Sequence, residues 1–578
     1  MSTEISQDIL NKVSPWLTEA VDAETRQEVQ RMLDHDPANL IESFYTDLDF
    51  GTGGLRGVMG VGTNRINKYT IGSATQGLAN YIRKQFPTTE SAVAIAYDSR
   101  NNSAFFAQTA ADVLSANGIR VKLFPELRPT PVLSFAVREL ECQAGIVITA
   151  SHNPPEYNGY KVYWEDGAQV LPPHDKGIIA EVRTVEGLHA VNFNAQPHLI
   201  DRIGPEVETV YLQKLNDLIF AKDEIVKAQD LKIVYTSIHG TGITMVPPAL
   251  NALGFKNILV VEEQAKPDGN FPSVKSPNPE VKDAMNLAMN LANTHGADLV
   301  LGTDPDADRV GIAVRNDQGE LILLNGNQTG SLLVNYQILR RKERGLLTGK
   351  EYVAKTIVTT NLIGDIAAAH SVKYYDTLTG FKYIAGVMRE KEGHEYFIGG
   401  GEESYGYLVG EFVRDKDAVL SAVIIAEMAA WASANDNSLY GMLMDIYSEH
   451  GLYHEELVSI TIKGMDGVAQ IQQMMTDLRS NPPKTLGGSP VVEVRDIVSG
   501  LSKNLQSGEE TKLDLPSSNV LQFILEDGSK ISARPSGTEP KIKFYFSIKE
   551  QFQGKEQYRN QVSTIIERIK TIRTELGV

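Results

Sequence analysis

From Ile71 onward the chain repeats one grammar: a short apolar run, a polar end, then an amphipathic helical stretch. A helical pattern through Tyr81 leads to Val93-Ala94-Ile95-Ala96-Tyr97, which ends in Asp98-Ser99-Arg100. A helical pattern from Ala104 to Ala116 comes next, then a run around Val121-Lys122-Leu123-Phe124, the turn Arg128-Pro129-Thr130-Pro131, another helix, and Gly145-Ile146-Val147-Ile148. Regular alternation of strand and helix predicts layered α/β domains with ligand-binding residues at strand ends.

The grammar recurs. Leu231 to Tyr235 and Ile258 to Val261 read as strands, and a helix carries Ala284, Leu287, Ala288, Leu291 and Ala292 on one face before the run Leu299-Val300-Leu301. A third alternation begins near Gly326, with Lys355 to Thr359 and Lys373 to Asp376 as strands. After about Leu452 the alternation is lost, and Asn481-Pro482-Pro483-Lys484 and Gly487-Gly488-Ser489-Pro490 interrupt short strands, which predicts a smaller α+β domain. There Ile542, Phe544, Phe546 and Ile548 share one strand face, and Val562, Ile565, Ile566, Ile569, Ile572 and Leu576 stripe a final helix. With 578 residues, at roughly 150 per domain, four domains are expected: 1–205, 206–325, 326–455 and 456–578.

Charge and composition narrow the partners. A formal net charge of −18 disfavours nucleic acid and anionic membrane, so a site for an anion must be locally positive. Cys142 is the only cysteine, which excludes an intrachain disulfide and suits a reducing cytoplasm. The first residues are polar and acidic, unlike a signal peptide. The most apolar window, Ala418 to Ala434, is broken by Ser421 and Glu427 and is short for a membrane span; it reads as a buried helix.

Several loops carry chemistry. The Gly145 strand opens into Thr149-Ala150-Ser151-His152-Asn153-Pro154-Pro155, presenting a serine hydroxyl, although such a serine commonly caps a helix or closes a turn. A hydrolase elbow is excluded because Thr149 and Asn153 occupy its glycine positions. Leu299-Val300-Leu301 opens into Gly302-Thr303-Asp304-Pro305-Asp306-Ala307-Asp308-Arg309, whose three carboxylates suit Mg²⁺ or Ca²⁺. An EF-hand fails here, since Arg309 and Arg315 stand where Gly and Glu are needed, whereas a solvated acidic turn is the plainer alternative.

Four weaker signals accompany these. Phe50-Gly51-Thr52-Gly53-Gly54-Leu55-Arg56-Gly57 lacks the glycine of a dinucleotide fingerprint at Arg56 and reads as a turn, or as a phosphate cradle. Thr379-Gly380-Phe381-Lys382-Tyr383 offers a cation at a turn. Gly399-Gly400-Gly401-Glu402-Glu403-Ser404-Tyr405-Gly406 offers donors and acceptors to sugar hydroxyls, or is a plain exposed loop. Arg534-Pro535-Ser536-Gly537-Thr538-Glu539-Pro540-Lys541 forms an anion nest.

Thr149 to Pro154, Asp304 to Arg309, Gly401 to Ser404 and Arg534 to Thr538 occur in the order seen in the α-D-phosphohexomutases, and the resemblance spans nearly the whole chain. The Phe50 to Gly57 loop and Glu403 make it most similar to the branch of bacterial phosphoglucomutases and animal phosphopentomutase and glucose-1,6-bisphosphate synthase relatives. The resemblance implies a four-domain, heart-shaped enzyme: three related α/β domains with mixed sheets and a C-terminal α+β, TATA-binding-protein-like domain. It implies a phosphosugar mutase that interconverts glucose 1-phosphate and glucose 6-phosphate through a phosphoserine and glucose 1,6-bisphosphate, the latter also the activator. Mannose and pentose phosphates are rival substrates.

In that scheme Ser151 carries the phosphoryl group, and Asp304, Asp306 and Asp308 hold one Mg²⁺ together with its oxygen. Arg309 helps neutralise charge; Lys161, Arg56 and His152 are candidates for moving the proton. Lys382, Glu402 and Ser404 face the sugar, and Arg534, Ser536, Gly537 and Thr538 the non-reacting phosphate. The stretch Pro154-Pro155-Glu156-Tyr157-Asn158-Gly159-Tyr160 departs from the smaller, glycine-containing loops of many hexose mutases, which bears on the choice of sugar. A monomer or homodimer in the cytoplasm is expected. A serine phosphatase would want histidine ligands near the aspartates, and none are there. A non-catalytic sugar-phosphate binder would have no use for Ser151 and three aspartates together.

Overall fold

The computed structural model describes residues 5–51, 53–462, 466–536 and 541–578. The chain forms two compact units: Met1–Gly326, Ala385–Gly399 and Ser404–Asp436 make one, and Asn327–Ile384, Gly400–Glu403 and Asn437–Val578 the other.

The first unit opens with three helices, Gln7–Val13, Ala23–His35 and Pro37–Phe44. Asp22 caps the second by accepting from Thr25 N, and Asp36 ends it and caps the third, with Pro37 at its first position. Their apolar faces close over Trp16, which meets Phe44 and Tyr69 edge-on.

Six strands follow in one mixed sheet, in the order Gly54–Val58, Tyr157–Trp164, Ala144–Ile148, Ala92–Tyr97, Arg120–Leu123, Ile200–Arg202. The middle strands are parallel, joined by helices such as Ser103–Ala116 and Thr130–Glu139. Ala144–Ile148 and Tyr157–Trp164 run antiparallel, so the serine loop is the bend between two paired strands. The helix expected through Tyr81 runs Lys68–Gln85, started by a capping box between Asn67 and Thr70.

One expectation is corrected here. The Phe50 to Gly57 stretch is no mere turn: Gly54–Val58 is an edge strand paired with Tyr157–Trp164. Its glycines hide the strand pattern from the sequence, yet they permit it. Gly54 has φ +150°, and a Cβ there would lie 1.9 Å from the Tyr160 carbonyl.

The second sheet runs Leu321–Leu324, Val310–Arg315, Leu299–Thr303, Lys232–Thr236, Asn257–Val260. Leu299–Thr303 and Val310–Arg315 are antiparallel, which makes the aspartate loop a tight reversal. The helix Lys282–His295 buries Ala284, Ala288 and Ala292 and packs Leu287 and Leu291 against the same core, as its stripe predicts. Ala418–Ala434 is a helix buried along nearly its whole length. Among the described residues no single helix is long and apolar enough to cross a membrane.

The second unit holds the parallel strands Glu351–Thr356 and Lys373–Thr377. The first of these ends earlier than the expected Thr359, because the hydroxyls of Thr356 and Thr359 meet at 2.9 Å and close a turn. A C-terminal antiparallel sheet follows, built on Leu452–Thr461, Lys541–Glu550, Lys530–Pro535, Leu521–Leu525 and Ser489–Asp496. Ile542, Phe544, Phe546 and Ile548 are buried on it. The final helix Tyr558–Leu576 buries Ile565, Ile569 and Ile572, while Val562, Ile566 and Leu576 are half-buried.

Candidate active site

The serine loop is held from beneath by one arginine. Arg100 donates through Nη1 to the carbonyls of Pro154 at 2.8 Å and Tyr157 at 3.0 Å, and through Nη2 to those of Ser151 at 2.6 Å and Asn153. Its Nε lies 3.4 Å from Asp98, both side chains are fully buried, and the guanidinium rests over Phe271. Four carbonyls converging on one planar donor fix the loop backbone, with Ser151 at φ +51° and its N–H donating to Thr149 Oγ1 at 2.8 Å.

Ser151 Oγ then donates to Asp304 Oδ2 at 2.8 Å and lies 3.2 Å from His152 Nδ1. The aspartate loop closes on itself, Asp304 Oδ1 accepting from the N–H groups of Asp308 and Arg309 at 3.1 Å each. Gly240 lets the neighbouring loop approach it: a Cβ there would sit 2.4 Å from the Pro305 backbone, and Thr241 N donates to Pro305 O. One oxygen from each of Asp304, Asp306 and Asp308 lies within 4.8 Å of the others, and all three residues are buried.

Cations surround this group. Lys161 Nζ donates to Asp306 Oδ2 at 2.8 Å and Asp308 Oδ2 at 3.4 Å, and Lys416 Nζ is 3.2 Å from Asp308 Oδ2. Thr130 Oγ1 donates to Asp306 Oδ2 at 3.0 Å. Arg309 pairs with Glu280 at 2.6 Å and lies 3.7 Å from Asp308 Oδ1, and Arg56 donates to Asn153 Oδ1 at 3.1 Å.

Burial and the charges of Asp306 and Asp308 push Asp304 well above the usual carboxylate range. Burial presses Asp306 and Asp308 the same way, but Lys161 and Lys416 outweigh it and hold both below that range. Burial also opposes the Lys161 charge, and the two carboxylates overcome it, raising its pKa. Burial, then Arg309 and Arg56, bring His152 down to about 2, leaving its imidazole neutral.

These residues fit a divalent cation. Asp306 Oδ1 and Asp308 Oδ1 are buried without a hydrogen-bond partner among the described residues, an arrangement costly for carboxylates. Hard oxygen donors this close match Mg²⁺ or Ca²⁺ chemistry.

The structure thus brings together Ser151, His152, Lys161, Arg56, Arg309 and the three aspartates within the first unit. Ser404 belongs to this unit too, and the carbonyl of the next residue, Tyr405, accepts from Val310 N just past the aspartate loop. In the second unit Glu402 Oε1 accepts from Gly380 N at 2.9 Å, joining the acidic loop to the turn that carries Lys382, whose ammonium lies over the Tyr383 ring. Arg534 is half-buried at the end of Lys530–Pro535, and Ser536 is exposed, its N–H donating to Lys541 O. Gly537 and Thr538 lie outside the described residues.

Sequence reading missed Lys416 and gave Arg100 and Thr130 no role. The signal for Lys416 was the charged run Arg414-Asp415-Lys416-Asp417 placed directly before an apolar helix, where burial forces each charge to find a partner. Each does: Arg414 meets Glu392, Asp415 accepts from Tyr163 Oη, Lys416 meets Asp308, and Asp417 accepts from Tyr211 Oη.

Residues 47–188, 209–319 and 325–450 match, in turn, the α/β/α domains I, II and III of phosphoglucomutase/phosphomannomutase. Similar curated proteins include the phosphoglucomutase of Staphylococcus epidermidis, 40% identical over 88% of this chain and 92% of that protein. The phosphoglucomutase of Staphylococcus aureus is 38% identical over 92% of this chain and 95% of its own. Among solved structures, the open form of the exocytosis-sensitive phosphoprotein parafusin, a phosphoglucomutase from Paramecium, superimposes with a TM-score of 0.68 at 19% identity, covering 92% of this chain and 96% of that one. A phosphoglucomutase/phosphomannomutase family protein from Burkholderia thailandensis gives 0.65 at 17% identity, over 92% and 98%. Matches to three successive domains and identity of this extent place the chain in the phosphoglucomutase/phosphomannomutase family, the α-D-phosphohexomutases.

Proposed function

We propose that this phosphohexomutase interconverts glucose 1-phosphate and glucose 6-phosphate, with Ser151 carrying the phosphoryl group in transit. The reading rests above all on the 2.8 Å contact between Ser151 Oγ and Asp304, set beside two carboxylate oxygens without a hydrogen-bond partner among the described residues. A hydroxyl placed at a cation site, with no strong base on it, suits phosphoryl storage better than attack on a carbonyl. The relatives named phosphoglucomutase support glucose as the sugar.

Asp304, Asp306 and Asp308 would hold one Mg²⁺ with an oxygen of Ser151, and the ion, when bound, neutralises charge on the phosphoryl group. Lys161 and Arg309 stand beside the same aspartates and add positive charge around the transferred group. Transfer breaks the Ser151 Oγ–P bond and forms one to a sugar hydroxyl, whose proton ends on the departing Ser151 Oγ, with Lys161, His152 and Arg56 as the candidates for relaying it. Glu402, Ser404 and Lys382 orient the sugar; Arg534, Ser536, Gly537 and Thr538 take the phosphate that does not react. The bisphosphate turns between two such transfers and also serves as activator. On this reading the chain comprises domains 1–205, 206–325, 326–455 and 456–578 and works as a cytoplasmic monomer or homodimer without nucleic acid or membrane.

A coupled assay primed with glucose 1,6-bisphosphate, comparing glucose, mannose, glucosamine and ribose 1-phosphates, tests the substrate. The highest kcat/KM is expected for glucose 1-phosphate; a higher value for another sugar overturns that assignment, and net hydrolysis without isomerisation overturns the mutase reading.

A further inference from the structure

Behind the acidic loop lies a support that none of the four motifs contains. The Glu403 carboxylate accepts from Thr356 Oγ1 at 3.2 Å and Thr359 Oγ1 at 3.1 Å, and its own N–H donates back to Thr359 Oγ1 at 3.2 Å. Both threonines are buried, at the end of Glu351–Thr356 and in the turn after it. That turn is gripped in its own right. Lys530 Nζ donates to Ile357 O at 2.9 Å, Thr359 O at 3.2 Å and Asn361 Oδ1 at 2.8 Å. Gln522 Nε2, from the adjacent strand, donates to Ile357 O at 2.8 Å.

Lys530 is 4% exposed, so no solvent replaces these donors if it is removed. Burial, with the charge of Lys355, brings its pKa down to about 7, a cost that packing alone gives no reason to carry. It opens the strand Lys530–Pro535, and Arg534 stands next to the other end of the same strand. One strand therefore bears both the anion-nest arginine and the clamp on the turn that holds Glu403.

We propose that Lys530 is a positioning residue for the sugar: by fixing the 357–361 turn it fixes Thr359, hence Glu403, hence the neighbouring Glu402. This rests on reading Glu402 as a sugar contact.

Lys530→Met, Thr359→Val, their combination and Glu402→Gln, each checked for folding by thermal unfolding, test it through KM and kcat for glucose 1-phosphate with Mg²⁺ and bisphosphate saturating. Lys530→Met and Thr359→Val should each raise KM about fivefold or more while kcat stays within about twofold. The double variant should be no worse than the poorer single one, because both cut one chain of contacts. Lys530→Arg, which keeps charge and donors, should recover part of the KM. Wild-type KM in folded Lys530→Met, or KM effects that multiply in the double variant, overturns the proposal. If Lys530→Met does not fold, Thr359→Val decides, since it removes two of the three contacts that hold Glu403 and leaves Lys530 in place: unchanged KM there overturns the clamp. A Glu402→Gln variant with unchanged KM overturns instead the sugar-contact reading beneath it.

Discussion

Ser151 Oγ and Asp304 Oδ2 share a hydrogen bond of 2.8 Å across 153 positions of sequence, so the serine loop and the aspartate loop form one constellation. Asp304→Asn removes a carboxylate that would bind the ion while keeping an acceptor for the hydroxyl. Affinity for Mg²⁺ and kcat should each fall by about 100-fold or more, since loss of a direct ligand exceeds the cost of losing an outer partner. Calorimetric titration of the metal and activity against free Mg²⁺ check this. Chelation should abolish turnover in the wild type and added Mg²⁺ restore it.

Lys161 has a less obvious sign. Its ammonium offsets the charge of Asp306 and Asp308 from their Oδ2 side, the same two carboxylates that would hold a cation. Lys161→Met leaves the trio more negative, so Mg²⁺ should bind more tightly although kcat falls by about 100-fold, in the range of a lost proton-transfer group or charge-stabilising donor. Opposite movement of affinity and kcat is the signature to measure.

Arg100 acts through the backbone. Arg100→Met strands the buried Asp98 and frees four carbonyls, which should cost about 3–5 kcal/mol of stability. Arg100→Lys keeps the charge but cannot reach four carbonyls, and should fold while losing about tenfold or more in kcat. Urea unfolding and steady-state kinetics on the two variants separate these effects.

What the sequence revealed and concealed follows from the range of the contacts. Ser151 and the three aspartates were legible because each lies in a short reversal directly after an apolar strand, where side-chain chemistry and chain direction are written within a few residues. Arg56 was harder, as the glycines about it hide the strand, and Gly54 is there to let Tyr160 approach, a contact with no local pattern. The partners of Lys416 and Lys530 were hidden for a different reason: each lies in a distant part of the chain, Asp308 for Lys416 and the turn following Thr356 for Lys530. The early end of the strand at Thr356 combines a local contact with a distant one, since Thr359 meets both Thr356 and Glu403.

Asp417 carries a pH signature. It caps Ala418–Ala434 through Leu420 N at 2.9 Å and accepts from Tyr211 Oη, yet burial lifts its pKa to about 6. A folded-state value above the unfolded one, near 4, means that the native state holds the proton longer, so this contribution is full below about pH 4 and lost as pH rises through about 6. At ~1.4 kcal/mol per unit the loss is about 3 kcal/mol. Asp417→Asn keeps an oxygen for Leu420 N and has no proton to lose, so its stability should decline less than that of the wild type between pH 4 and pH 7, by up to that amount, in urea unfolding.

Phosphorylation of Ser151 is the central claim. Intact-mass and phosphopeptide analysis after incubation with glucose 1,6-bisphosphate and Mg²⁺, run beside a mutase assay of Ser151→Ala, measures it directly. The account predicts one phosphoryl group, on Ser151, and a folded Ser151→Ala protein that takes up none and does not turn over. A phosphoryl group on another residue, or substantial mutase activity in Ser151→Ala, would contradict it.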